Sequence, residues 1–396
     1  MSPAQIVLIL SLLLGLQPIT TDLYLPALPG LMAGFGASMP QAQLTLTALL
    51  LSFGLSQLVW GPLSDRFGRR PILLWGLAAY GLASVGGTLA SSIELLILWR
   101  MVQGAAMGAA VMCARAIVRD LYRPAEGARV MSKGHTGLGV IACLSAPLGG
   151  LLSDWMGWRA ALLALALFGA ATLAVVGWRF QETVSRKNPQ ALQPATLWST
   201  WRAIARNPAF WSFSALSTAS YGGLFTFLAS SSFVFIQVLQ IPKPWYGLLM
   251  SSLSLTYILG TLACRRLLPR VGVRRAVAIA AGFTLAGGAL MGAFALAGVH
   301  QGWAIMLPMY LYLLAHGVHQ PCSQSGAIGP FPFAAGAASA MNGFLMMLAA
   351  FAVGGWLGQR MDGTVLPLMY GVSFWSVLIA ASAWTLVQQH GKSSEN

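Results

Sequence analysis

Acidic residues are almost missing from this chain: nine Asp and Glu stand among 396 residues. Charged residues of both signs reach only 8%, against about 25% in a soluble domain. So few charges cannot cover a water-facing surface, which excludes a soluble fold and makes the bilayer the solvent for most of the chain. There are four cysteines, Cys113, Cys143, Cys264 and Cys322. Each lies in or at the end of an apolar stretch without metal-site spacing, so they read as small buried hydrophobes and no disulfides are expected. Zinc-ligand spacings, a nucleophile elbow, a phosphate loop and a nucleotide motif are all missing. No metal, cofactor, catalytic residue or ATP-driven step is therefore expected.

What is present is apolar. Hydrophobic residues make up 57% of the chain, and a spanning helix needs about 20 of them in a row. Twelve such runs can be read, roughly at 5–25, 41–62, 71–91, 94–114, 132–154, 158–179, 208–236, 245–265, 274–297, 302–325, 335–358 and 363–387. The first has no basic leading stretch and ends in Asp22-Leu23-Tyr24-Leu25-Pro26, so it reads as a permanent helix and not as a cleaved signal. The net charge of +14 is topological. With the N-terminus inside, the inner loops collect Arg66, Arg69, Arg70, Arg115, Arg119, Arg123, Arg129, Lys133, Arg179, Arg186, Lys187, Arg202, Arg206, Arg265, Arg266, Arg270, Arg274 and Arg275, and the tail adds Lys392. The outer side keeps Arg159, Lys243 and Arg360. This bias is the positive-inside rule with both termini cytoplasmic, and it says nothing for nucleic acid.

The longest polar interruption, residues 181–207, separates two sets of six runs, residues 1–180 and 208–396. It reads as a cytoplasmic linker, with a short amphipathic helix on the membrane surface at 198–205. The two halves resemble a repeat. A shift of about 204 residues puts Arg66 on Arg270, Gly68 on Gly272 and Arg70 on Arg274, and one residue more puts Gly149-Gly150 on Gly354-Gly355. Asp65 falls on Pro269, so its carboxylate belongs to the first half alone.

Gly61-Pro62-Leu63-Ser64-Asp65-Arg66-Phe67-Gly68-Arg69-Arg70-Pro71 is a charged turn between two apolar runs. It resembles the signature loop of the major facilitator superfamily. Arg100-Met101-Val102-Gln103-Gly104 resembles that family's fourth-helix motif. Pro147-Leu148-Gly149-Gly150 resembles its fifth-helix antiporter motif, with Ala146 where the motif has glycine. Asp22-Leu23-Tyr24-Leu25-Pro26 with Arg119-Asp120-Leu121-Tyr122 narrows the resemblance to the Bcr/CflA drug–proton antiporters. The resemblance implies two pseudo-symmetric six-helix halves, alternating access, antiport, and drugs such as chloramphenicol- or bicyclomycin-like compounds. It also implies that Asp65 sits at the inner end of the eleventh helix, around Ala335 to Ser339, when the inner gate is closed. Gly61, Asp65, Arg66, Gly68, Arg69, Arg70 and Asp120 are then a conformational switch, with Arg69 pairing to Asp120. The alternative is a positive-inside anchor.

Asp22 is the acid placed plainly within a run. A carboxylate partly withdrawn from water binds and releases a proton near neutrality; the alternative is a cap on the turn before Pro26. Arg100 lies about 9 Å inward of Glu94, and Asp22 about 6 Å from the outer edge of a core about 30 Å thick. The matching depths predict that Asp22 and Arg100 interact, directly or through water, unless Arg100 snorkels to water or to Glu94. Gln103, one turn deeper, is a candidate for substrate, with Tyr24, Tyr221, Phe225, Tyr257, Tyr310, His316 and Asn342 as further cavity candidates. Each aromatic has lipid contact or helix packing as its alternative. Pro147, Gly149 and Gly150 give either an ion-tight seam or ordinary small-residue packing.

The expectation is a monomeric, proton-coupled exporter of small amphipathic drugs in a bacterial inner membrane. A metabolite exporter or proton symporter of the same fold, or a non-transporting receptor, are the alternatives.

Overall fold

The computed structural model describes residues 1–184 and 187–391. Arg186, Lys392 and Glu395 lie outside the described residues, as does the side chain of Lys243. Among the described residues every regular element is helical: α1 (Pro3–Asp22), α2 (Leu28–Phe35), α3 (Met39–Phe67), α4 (Arg69–Thr88), α5 (Ile93–Leu121), α6 (Pro124–Met156), α7 (Trp158–Arg179), α8 (Pro194–Arg206), α9 (Pro208–Ser232), α10 (Lys243–Leu296), α11 (Gly302–Ile328), α12 (Ala335–Arg360), α13 (Leu366–Ala381) and α14 (Val387–His390), with short 3-10 or π segments between some of them. Among the described residues ten stretches are long and apolar enough to span a membrane. One of them, Trp245–Leu296, has 52 residues, about 78 Å of helix and twice what a bilayer needs. It breaks at Gly272 (φ 72°, ψ 173°) into two spans. The 27-residue α11 has the length of a span but carries His316, His319, Gln320 and Gln324, all buried. With these two, the expected twelve segments are accounted for.

Three boundaries differ from the sequence reading. The charged turn at 61–71 is not a loop: α3 runs through to Phe67 and α4 begins at Arg69. Only Gly68 leaves helical geometry, at φ 101° and ψ 167°, a conformation that side chains with a Cβ avoid. Gly272, its counterpart in the repeat, adopts nearly the same backbone angles. The surface helix covers Pro194–Arg206, longer than the expected 198–205. Arg115, placed above in an inner loop, lies inside α5 and is buried, because the helix continues past the apolar run to Leu121.

By its internal contacts the chain forms two compact units. The first comprises residues 1–121, 137–204 and 331–347, the second residues 122–136, 205–330 and 348–396. In the first, α1, α3 and α4 all pack on α5, whose middle is Gly, Ala and Met. A Cβ at Gly104 would lie 2.5 Å from Ser52 Oγ and closer still to Leu49 O, so α3 and α5 meet backbone to backbone, as small residues allow in a membrane. In the second, α9, α10, α11 and α13 pack around one another.

Candidate functional site

Two polar clusters occupy the first unit. The inner one is built at the α3–α4 junction. Asp65 is 6% exposed and accepts from the backbone N–H groups of Gly336 (2.9 Å) and Ala337 (3.0 Å), in the first turn of α12. There a carboxylate satisfies orphan donors and meets the positive end of the helix dipole. Gly336 is required at this contact, since a Cβ would lie 2.7 Å from Asp65 Oδ1. Gly61 lies against the same turn, where a Cβ would meet Gly336 O at 2.8 Å. Arg69, 1% exposed, donates from Nη1 to Asp65 Oδ1 (2.8 Å) and Ser64 Oγ (2.6 Å). Its Nε and Nη2 donate to the two oxygens of Asp120, at 2.9 and 3.2 Å. This bidentate fork leaves the buried guanidinium with two carboxylates. Arg66 instead is exposed and lies 5.3 Å from the Phe67 ring. Arg70 donates to Gly177 O at 2.9 Å.

Sequence reasoning missed the third arm of this cluster. Glu182, just beyond α7, accepts from the backbone N–H of Arg69 (2.9 Å) and Arg70 (3.1 Å), capping α4. Thr183 Oγ1 donates to Asp120 Oδ2 at 2.9 Å, and Asn188 N donates to Asp65 O at 2.9 Å. The available signal was an acid directly after an apolar run on the basic side. A Cβ at Gly68 would strike Glu182 Oε2. Gly68→Ala is therefore expected to cost about 1–3 kcal/mol through strain and loss of this cap, more than the roughly 1 kcal/mol of Glu182→Ala. Melting of both variants in detergent checks the order.

The outer cluster corrects the expected Asp22–Arg100 pair. Asp22 is half-buried and accepts from Thr21 Oγ1 at 2.8 Å. Arg100, 1% exposed, donates to Gln103 Oε1 (2.6 Å) and Thr20 O (3.3 Å), and its guanidinium lies 4.1 Å from the centre of the Tyr24 ring. Among the described residues the ion pairs are Arg69–Asp65 and Arg69–Asp120. Arg100 is seated instead on the last turn of α1, where carbonyl groups point along the axis out of the helix end and offer a neutral acceptor at the same depth as the carboxylate. The carbonyl end of α1 and an aromatic face take the carboxylate's place. Gln103 passes the network on to Ser84 Oγ at 2.7 Å, and Tyr24 OH donates to Thr45 Oγ1 at 2.9 Å. On α6, a Cβ at Gly149 would strike Leu23 O, so Gly149 packs on the residue after Asp22. Gly150 faces open space, and Pro147 is exposed.

The remaining cavity candidates are scattered. In the second unit, Tyr257 OH meets His135 Nδ1 at 2.7 Å, and the Tyr257 ring lies 5.5 Å from that of His316. His316 Nδ1 meets Ser220 Oγ at 2.7 Å. His135 also faces Gln324 Oε1 at 3.3 Å and was not foreseen. Tyr221 stacks on Phe225, 6.3 Å between centroids, while Tyr310 stands apart on Ser252. Asn342 belongs to the first unit and is fully buried.

The sequence profile described as "Major Facilitator Superfamily" matches residues 10–355. A protein called "Chloramphenicol resistance protein" from Pseudomonas aeruginosa is 28% identical over 380 residues, covering 96% of this chain and 87% of the relative. "Multidrug resistance protein D" of Escherichia coli (strain K12) is 28% identical over 354 residues, covering 87% and 86%. "Bicyclomycin resistance protein homolog" of Haemophilus influenzae is 25% identical, covering 98% and 97%. Among solved structures, the proton:xylose symporter XylE superposes with a TM-score of 0.80 at 15% identity, covering 99% of this chain and 97% of that one, a likeness of fold.

Proposed function

Because this chain belongs to the major facilitator superfamily, a family of multi-pass membrane transporters, we propose that it exports small amphipathic drugs in exchange for protons, by alternating access between halves 1–180 and 208–396 joined by 181–207. The observation that carries the reading is the Asp65 carboxylate on the first turn of α12, backed by Arg69 and Asp120. Its bonds run between helices 271 positions apart in the chain, and they are few enough to be made and broken in a cycle. The relatives named for chloramphenicol, bicyclomycin and multidrug resistance support drugs as cargo.

Asp22 is the proton carrier in this reading. Arg100 holds the end of α1 through the Thr20 carbonyl and Tyr24, so that it positions Asp22 without neutralising it. Tyr24 and Gln103 belong to this support, while Tyr221, Phe225, Tyr257, Tyr310, His316 and Asn342 are candidates for the substrate path. Gly149 keeps α6 tight against the α1 end, which limits leak beside Asp22. The protein works as a monomer in a bacterial inner membrane, both termini cytoplasmic. A susceptibility screen tests this: in a host stripped of its own exporters, the chain should raise tolerance to chloramphenicol or bicyclomycin at least about fourfold, beyond the scatter of twofold dilutions, with the gradient-driven part lost in Asp22→Asn. No protection against any class of antibiotic would sink it.

A further inference from the structure

Among the described residues of the first unit three guanidinium groups are buried, Arg69, Arg100 and Arg115, and they are compensated differently. Arg69 has two carboxylates. Among the described residues Arg100 and Arg115 have none within ion-pair distance. Arg115 is 3% exposed and stands six residues before the end of α5, about 9 Å along the helix from its inner terminus. Its Nε donates to Val111 O at 3.3 Å, and Nη2 donates to Gln57 Oε1 on α3. Both acceptors are neutral, and three of the five guanidinium donors are left over. A cation in a membrane span without a counter-charge is expensive, and such groups mark function by default.

What covers the pair is informative. A Cβ at Gly343 of α12 would lie 2.5 Å from Arg115 Nη2 and would collide with Gln57 Oε1, so the α12 backbone lies directly over both. Yet both hydrogen bonds of Arg115 go to α5 and α3. The ties to α12 lie elsewhere, at Asp65 and at Ser339, whose Oγ donates to Met112 O at 2.9 Å. Arg115 is therefore covered by the gate without being a latch of it. Withdrawing α12 breaks no bond of Arg115 and exposes a planar fork suited to a carboxylate. Phe53, one turn before Gln57 on α3 and accepting from Gln57 Nε2 through its carbonyl, is the apolar residue placed next to this pair along the helix.

We propose that Arg115 and Gln57 form an inner binding site for anionic compounds, those with a carboxylate or phenolate on an aromatic or alkyl body, which the protein exports in addition to neutral drugs such as chloramphenicol that do not engage this fork. This rests on the export reading above and names a further substrate class.

The test is equilibrium binding to the purified full-length protein, using salicylate as the anionic probe and tetraphenylphosphonium as the cationic one. Salicylate should bind the wild type, and more tightly when Asp65→Asn loosens the α12 contact. In Arg115→Gln the ratio of salicylate to tetraphenylphosphonium affinity should fall at least about tenfold, as expected for loss of one charge-assisted fork, with Arg115→Lys in between. If Arg115→Gln is not monodisperse, Gln57→Leu should lower the same ratio. No salicylate binding by the wild type, displacement by equimolar chloride, or an unchanged ratio in the variants would overturn the proposal. Chloramphenicol export by the wild type separates the two readings. Export without salicylate binding defeats the substrate class alone; salicylate binding through Arg115 without export of any compound defeats the export reading alone.

Discussion

Asp65→Asn is expected to open the inner gate. The carboxylate binds two backbone N–H groups of α12 and one arm of the buried Arg69. The carboxamide keeps the size but removes the charge, so one amide N–H of α12 then faces an NH2 group and Arg69 loses a counter-ion. Interaction with the helix dipole in a partly buried site is worth up to about 2 kcal/mol, and loss of a charge-assisted hydrogen bond adds about 1.5–3 kcal/mol. Even a net loss of about 2 kcal/mol shifts a two-state equilibrium roughly thirtyfold. The measurement is the maleimide labelling rate of Ser339→Cys from the cytoplasmic side, in a chain whose native cysteines are serine. Ser339 is fully buried in this structure. The rate should rise at least about tenfold with Asp65→Asn; an unchanged rate would remove Asp65 from the gate.

The second large effect is at Asp22. Asn cannot take up a proton, so drug movement against a gradient should fall to the level of empty vesicles. Exchange of labelled for unlabelled drug with no gradient should survive, because the carboxamide keeps the hydrogen bond from Thr21 Oγ1 to the side-chain oxygen. Asp22→Glu should retain part of the driven activity. Loss of exchange together with driven transport would instead make Asp22 a structural or substrate-binding residue.

Much of this was legible in the sequence, and what was not has physical reasons. Apolar run length found the spans, since it reports directly on bilayer thickness. The position of Asp65 near Ala335 to Ser339 came from the family resemblance and not from periodicity. Among the described residues Asp22 and Arg100 make no direct ion pair, because counting residues gives depth along a helix but not which group at that depth a side chain meets: Arg100 reaches the expected helix end and bonds Thr20 O. Arg115 was assigned to a loop because the apolar run stops before it, while backbone hydrogen bonding carries α5 to Leu121. Glu182 was invisible as a cap, since its partners, Arg69 N and Arg70 N, are more than a hundred residues away. The matched angles of Gly68 and Gly272 show the repeat more firmly than their arginines do, because few residues other than glycine adopt them.

Proton-coupled export is tested most directly in everted membrane vesicles with an acidified lumen, following luminal pH as chloramphenicol is added. Wild-type vesicles should release protons at once, in proportion to drug, and Asp22→Asn vesicles should release none. No drug-dependent release from the wild type, or the same release from Asp22→Asn, would contradict the account.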